Sequence, residues 1–298
     1  MRGKIIRIIS NQYTISTDDG NEYVAIARGK LRLAKSPIVG DIVDYEMYDD
    51  VCGIEKIHDR VNELIRPKIA NVDQAIVVMS AHEPDFSTGL VDRLCFLIAH
   101  ANIVPIICVS KMDLATENDI VFEYIEDYKK SGITIITTSE DDILEDLKPI
   151  LKGKVSVLTG QSGVGKSSLL NRINPELAIT TQEISHALNR GKHTTRYTQL
   201  HEIYGGFLAD TPGFSSLDFS KMTPIDLANS VIEFRPYLSK CKFNDCIHEF
   251  EPNCAIKKAV EEGKVSKIRY QNYLDILKVV KENKRWVNKQ LLHHQYYH

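Results

Sequence analysis

Over the first 65 or so residues, apolar and polar positions alternate in short runs. Lys4–Ile9, Tyr13–Thr17, Glu22–Ala27, Ile42–Tyr48 and Gly53–His58 each read as a short strand. Turn-forming clusters separate them: Asp18-Asp19-Gly20-Asn21, Arg28-Gly29 and Val39-Gly40-Asp41. Five short strands in one such stretch predict a small barrel, with the OB-fold first and an SH3-like barrel as the alternative.

From about residue 70 the rhythm changes. Gln74–Met79 and Ile103–Val109 are continuous apolar runs of buried-strand type, and Leu90–Ala99 and Glu117–Lys130 have helical spacing. Ile133–Thr137, Val155–Thr159, Gln199–Ile203 and Phe207–Asp210 read as further strands, and Lys166–Ile173 as a helix. Alternation of this kind predicts an α/β unit around a largely parallel sheet. Beyond residue 220 no strand pattern is visible. Pro224–Pro236 reads as short and helical, and Ala255–Leu292 as a long helix with a break near Gly263. The expected organisation is a barrel over 1–66, an α/β domain over 67–219 and a mostly helical domain over 220–298.

Composition narrows the function classes. The 298 residues are 43% hydrophobic and 26% charged, ordinary globular proportions that exclude a disordered chain. A formal net charge of −3 excludes a uniformly basic nucleic-acid binder. No apolar run approaches the ~18 residues of a membrane span, and the start of the chain lacks an apolar export core. The expectation is therefore a cytoplasmic protein with no membrane partner, and a monomer. Charge is unevenly spread: residues 116–146 carry ten acids against two lysines, whereas 255–298 carry ten Lys/Arg against four acids. The basic tail interleaves Lys281, Lys284, Arg285 and Lys289 with Trp286, Tyr296 and Tyr297. Cations neutralise phosphates and rings stack on bases, so this tail is a candidate RNA contact; a solvated helix face is the plain alternative.

The strongest chemical signal is Gly160-Gln161-Ser162-Gly163-Val164-Gly165-Lys166-Ser167-Ser168. It matches the phosphate-loop pattern G-x-x-x-x-G-K-[ST] and stands between a strand and a helix, where the mechanism needs it. Backbone N–H groups and the helix N-terminus would cradle a polyphosphate. Lys166 would reach the β- and γ-phosphates and the Ser167 hydroxyl would ligate Mg²⁺. Asp210-Thr-Pro-Gly213 follows an apolar strand and could hold the magnesium shell through Asp210 and sense the γ-phosphate through the Gly213 N–H. Ser110-Lys111-Met112-Asp113 resembles the [N/T]-K-x-D guanine motif: the Asp113 carboxylate matches the guanine N1–H and N2 amine, the Lys111 stem covers the base, and a site built on such bonds rejects bases lacking the donors. Ser110 stands where Asn is usual, which predicts a weaker tie to the phosphate loop. Ser139, after the next strand, could present a backbone N–H to guanine O6. Thr194 or Thr195 would supply the switch hydroxyl for Mg²⁺ and the γ-phosphate, with Thr195 preferred. The water-orienting Gln of many GTPases would fall at Phe214, which cannot do that work. His193 is the candidate in its place, against the plain reading of a solvated or RNA-facing loop histidine.

Of six cysteines, three lie between 241 and 254. Cys241-x₄-Cys246-x-His248-x₅-Cys254 offers three thiolates and an imidazole, a complete tetrahedral zinc set without an open position; buried free thiols are the alternative. Cys52, Cys95 and Cys108 read as core residues.

The order of the motifs is circularly permuted: Ser110–Asp113 and Ser139 precede Gly160–Ser167, followed by Thr194-Thr195 and Asp210–Gly213. With the barrel in front, Arg66-Pro67…Ala70-Asn71-Val72-Asp73-Gln74, Arg190-Gly-Lys-His193-Thr194-Thr195, Asp210-Thr-Pro-Gly-Phe-Ser215 and the cysteine cluster behind, the whole chain resembles the RsgA family, also written YjeQ or YloQ. The resemblance implies a GTPase stimulated by the small ribosomal subunit and acting late in its assembly. It further implies rRNA-binding arms on both sides of the GTPase core, and zinc on the four Cys/His residues. A non-enzymatic RNA-binding protein with a vestigial nucleotide fold is the rival; intact Lys166, Ser167 and Asp210 weigh against it. A GTP-regulated modifying enzyme is a second rival, and no second catalytic constellation supports it.

Overall fold

The computed structural model describes the chain apart from residues 28–35, 50, 66, 139–142, 176–197, 211–217 and 296–298, and the side chains of 143 and 284–295. Strands β1 (Arg2–Ile9), β2 (Gln12–Ser16), β3 (Glu22–Ala27), β4 (Ile42–Tyr48) and β5 (Val51–Ile57) close a barrel in the order β1-β2-β3-β5-β4. The β3–β5 pair is parallel and β1 closes on β4 antiparallel, which is OB-fold connectivity and decides against the SH3-like alternative. Ile5, Tyr13, Ile15, Ala25, Val43, Tyr45, Cys52 and Ile54 fill its interior.

Strand β1 is apolar on both faces for a reason. Ile5 belongs to the barrel interior, while Ile6 belongs to the core of the following α/β unit. A register shift between Ile5 and Arg7 accommodates the change, as a bulge does. Barrel and linker are tied by Arg60, whose Nε and Nη2 reach the two oxygens of buried Asp41 at 2.7 and 2.8 Å. A two-strand ladder, β6 (Glu63–Leu64) and β7 (Ile69–Ala70), then leads into the second unit.

Six strands form the second sheet: β8 (Gln74–Ser80), β9 (Val104–Ser110), β10 (Thr134–Thr137), β11 (Val155–Thr159), β12 (Leu200–Ile203) and β13 (Gly206–Ala209). Their order is β10-β9-β8-β11-β13-β12, parallel except for the antiparallel edge pair β12–β13. Helices α1 (Thr88–His100) and α2 (Ile120–Lys130) pack on one face, and α3 (Ile143–Leu151) and α4 (Lys166–Ile173) on the other. Asp119 starts α2 by accepting the Val121 N–H at 3.0 Å, so the helix begins three residues after the expected Glu117. Helix α3 was not among the predicted elements; it contains Pro149, and Leu147 and Leu151 bury one face.

The C-terminal part is helical. Thr223 and Asp226 cap α5 (Pro224–Ser230) reciprocally. The long helical reading divides into α6 (Ala255–Glu261) and α7 (Lys267–Gln295), with Gly263 at φ +69° between them. This part does not hang free. Phe234, Cys246, Cys254, Tyr273 and Leu277 share one hydrophobic cluster with Val91, Leu94 and Ile98 of α1. Among the described residues no helix is long and apolar enough to cross a membrane.

Candidate nucleotide site and metal centre

Parallel register aligns the strand ends. Ser80 stands opposite Ser110, Val109 opposite Thr137, and Val77 opposite Thr159, so the carboxyl ends of β8, β9, β10 and β11 lie along one edge, and β13 runs parallel beside β11. In an open α/β sheet that carboxyl edge is where ligands bind. The permuted motifs, far apart in sequence, therefore converge.

The phosphate loop joins β11 to α4. Gly160 has φ +136°, and a Cβ there would stand 2.1 Å from the Val78 carbonyl oxygen, so only glycine lets the loop turn beside β8. Gly165 at φ +90° begins α4. Gln161, Ser162 and Gly163 are exposed at the tip, while Val164 is buried as an anchor in the core beneath the loop. Lys166 Nζ donates to the Gly160 and Gln161 carbonyls at 2.9 and 2.5 Å. Burial pushes its pKa down to about 8. Ser167 is buried in the first turn of α4 and Ser168 is exposed.

On the base side, the Ser110 hydroxyl donates to the Val164 carbonyl at 2.6 Å. The serine that stands in place of the usual Asn thus makes a tie to the phosphate loop. Lys111 takes a left-handed conformation, φ 55°, and its ammonium donates to the Glu83 carbonyl. Asp113 is exposed in the short turn Met112–Leu114, open to a base, with Met112 half-buried before it. Thr138, the last described residue before Ser139, donates its N–H to the Val109 carbonyl at 2.8 Å.

Asp210 directly follows β13, which pairs with the phosphate-loop strand β11. It accepts the Gln199 N–H on Oδ1 at 3.0 Å and returns its own N–H to the Gln199 carbonyl at 3.1 Å. A buried hydroxyl and a carboxylate are hard oxygen donors suited to Mg²⁺, so Ser167 and Asp210 fit that ion. Ser139, His193, Thr194, Thr195 and Gly213 lie outside the described residues, as does Phe214.

Sequence reasoning missed two participants. The loop after β8 forms a wall of the site: Ser80 Oγ donates to the Pro84 carbonyl at 2.6 Å, and Ala81 N–H to the Ser110 carbonyl at 2.8 Å. Its position after a strand was the available signal. Gln199, whose backbone holds Asp210, carries no motif at all.

At the other end of the chain, Cys241, Cys246, His248 and Cys254 present ligand atoms all within 4.8 Å of one another. His248 Nδ1 is 3.6 Å from Cys241 Sγ and 3.3 Å from Cys254 Sγ, near the edge of a tetrahedron with ~2.3 Å metal–sulfur and ~2.0 Å metal–nitrogen bonds. Three sulfurs and one nitrogen fit zinc. Burial pushes the His248 pKa down to about 4 and the Cys246 thiol up to about 12. Neutral imidazole is the ligating form; the thiols need a cation to become thiolates. The Tyr270 and Tyr273 hydroxyls on α7 donate to the His248 and Ile247 carbonyls at 2.7 and 2.5 Å, pinning the cluster to the long helix. Of the basic tail, Lys281 pairs with Glu249 and lies 5.8 Å from the ring of Phe250, which is 82% exposed.

Comparison with known proteins agrees with this geometry. A family profile described as RsgA GTPase matches residues 57–220 and one described as RsgA N-terminal domain matches 2–54; one described as a 50S ribosome-binding GTPase matches 155–286. The small ribosomal subunit biogenesis GTPase RsgA of Bacillus cereus is 47% identical over 95% of this chain and 98% of its own length. That of Streptococcus pyogenes is 44% identical over 98% and 99%. Among solved structures, YloQ, a circularly permuted GTPase, superposes with a TM-score of 0.82 at 40% identity, covering 94% of this chain and 95% of its own. YjeQ from Thermotoga maritima gives 0.80 at 35%, covering 94% and 98%.

Proposed function

The chain belongs to the RsgA GTPase family, and from that premise we propose that it is a GTP hydrolase stimulated by the small ribosomal subunit during late assembly. It binds rRNA in the GTP state and leaves on hydrolysis. The observation that carries this reading is the convergence of Ser110–Asp113, Gly160–Ser168 and Asp210 on one sheet edge, flanked by an OB-type barrel and a Cys/His cluster. The small subunit is preferred over the large one because the relatives aligned along the whole chain are named for it, while the profile named for 50S spans only 155–286.

Within that reading the parts have separate duties. Asp113 and Lys111 select guanine, with the Ser139 loop on O6. The phosphate-loop N–H groups and Lys166 bind the phosphates. Ser167, Thr195 and Asp210 would hold Mg²⁺, which would neutralise charge on the phosphates. Thr194, Thr195 and Gly213 report the γ-phosphate, and His193 orients the water. Cys241, Cys246, His248 and Cys254 would hold one structural zinc ion. The domains divide near 66 and 219, the protein works in the cytoplasm as a monomer, and the barrel and the cationic tail contact rRNA. GTP turnover measured with and without purified small subunits is the test: stimulation is expected, and equal rates overturn the proposal.

A further inference from the structure

Strand β12 lies at the open edge of the GTPase sheet, and an exposed strand edge needs a cover. The barrel supplies it. Arg7 of β1 is the antiparallel bridge partner of Gln199, the residue immediately before β12. Ile6 packs in one cluster with Leu200 and Ala209, and the Lys4 ammonium stands 4.7 Å from the Phe207 ring centroid on β13. The barrel thus touches both strands of the hairpin, and Arg7 and Ile6 do so at the end nearest the nucleotide edge. There Gln199 donates its backbone N–H to Asp210 Oδ1 at 3.0 Å and accepts the Asp210 N–H. His201 feels both Asp210 and Arg7 electrostatically, which places barrel and carboxylate in one neighbourhood.

We infer that Gln199 is a positioning residue: clamped to the barrel by β1, it sets the orientation of the Asp210 carboxylate and couples the barrel to the magnesium side of the nucleotide site. This rests on the reading of Asp210 as the carboxylate of the magnesium shell. The N–H donor fixes one carboxylate oxygen by a charge-assisted bond, so the carboxylate does not have to be ordered when the ion arrives. A shift of β1 moves Gln199 and, through two bonds, Asp210. A polyanion engaging the barrel can therefore alter GTP–Mg²⁺ affinity, and GTP–Mg²⁺ must alter the barrel's affinity by the same factor.

The test is the Mg²⁺ dependence of equilibrium binding of a fluorescent GTP analogue to the full chain, with GDP binding in EDTA measured alongside. Gln199→Pro deletes the donor. It is expected to raise the Mg²⁺ concentration needed for half-maximal tightening about tenfold, the scale of one hydrogen bond to a charged group, and to leave GDP binding in EDTA within about twofold. Gln199→Ala retains the backbone donor and restores the wild-type requirement. The pair Lys4→Met and Ile6→Ala loosens the joint from the barrel side and decides the matter if Gln199→Pro does not fold; a several-fold rise is expected, in a protein whose thermal unfolding remains cooperative. An unchanged Mg²⁺ requirement in folded variants, or equal effects of Gln199→Pro and Gln199→Ala, overturns the inference. Failure of the underlying reading shows separately, as Mg²⁺-independent GTP binding by the unmodified protein.

Discussion

Arg269 Nε lies 3.3 Å from Asp92 Oδ1, joining α7 of the C-terminal part to α1 of the GTPase sheet by an ion pair closed to solvent. Around it, Arg269 Nη1 reaches Glu233 at 2.6 Å, its guanidinium stands 4.3 Å from the Tyr128 ring centroid, and Asp92 also accepts from Tyr128 at 2.9 Å and Asn272 at 2.6 Å. Five residues from four elements thus share one desolvated joint. Arg269→Ala would leave two buried carboxylates, Asp92 and Glu233, without their cation. The expected loss is about 3–5 kcal/mol, read by urea unfolding. Arg269→Lys should recover only part of it, since an ammonium cannot serve Asp92, Glu233 and the ring together.

Lys166 gives nucleotide binding a pH dependence. Its pKa in the free protein is held down to about 8 by burial. A bound polyphosphate must raise it, because an adjacent negative charge favours the ammonium. Binding therefore takes up a proton above pH 8: affinity is full below that value and falls as pH rises through it, by up to about tenfold per unit. Titration of GDP affinity from pH 7 to 9 checks this, and a flat profile contradicts it.

Ser110→Ala removes the 2.6 Å bond to Val164 and leaves that buried carbonyl without its hydroxyl donor. A loss of about 1 kcal/mol, or roughly fivefold in GTP affinity, is expected. Asp113→Asn should instead change the kind of base bound, favouring xanthine over guanine, because the amide can donate where the carboxylate only accepts. Competition among GTP, XTP and ATP measures both effects; an Asp113→Asn protein with unaltered preference would contradict the assignment.

How much of this was legible in the sequence depended on range. The barrel strands, the phosphate loop and its helix were readable because period and motif are local: β3, β4, β11 and α4 fall on the ranges that the pattern predicted. Ile5 and Ile6 looked like one apolar run, yet they serve two different cores, and no local period encodes a neighbour that lies beyond the turn of a strand. The Ser110–Val164 bond failed to show for the same reason. Residue type alone suggested a weaker tie, and no local pattern says that Ser110 comes within reach of Val164. Arg269 read as one more tail cation; its burial depends on acids 36 and 177 residues away.

Zinc removal should be felt unequally. Cys246 and Cys254 belong to the cluster on the α1–α7 face, while the phosphate loop packs through Val164, Leu169 and Leu170 on the opposite face. Cys246→Ser is expected to abolish one equivalent of zinc by elemental analysis and to lower the unfolding temperature, with GDP affinity retained within a few-fold. Loss of nucleotide binding in parallel with zinc would contradict the separation of faces.

The rigid joint at Arg269 also bears on subunit binding. A C-terminal part that shares a core with α1 cannot ignore motions of the nucleotide sheet. Affinity for the small subunit is expected to differ by about 5–150-fold between a non-hydrolysable GTP analogue and GDP, measured by co-sedimentation. Equal affinities would reject the coupling whatever the turnover rate.

The permuted strand order has a consequence for the order in which the pocket is made. Strands β8, β9 and β10 with their helices form a continuous βαβαβ stretch over 74–137, so the base-recognising half can assemble while synthesis is still under way. Strand β11 then inserts beside β8, and its other neighbour, β13, is not translated until residue 206. The stretch that carries Ser110–Asp113 is thus translated before the one that carries Gly160–Ser167, the reverse of the order in which an unpermuted GTPase emerges from the tunnel.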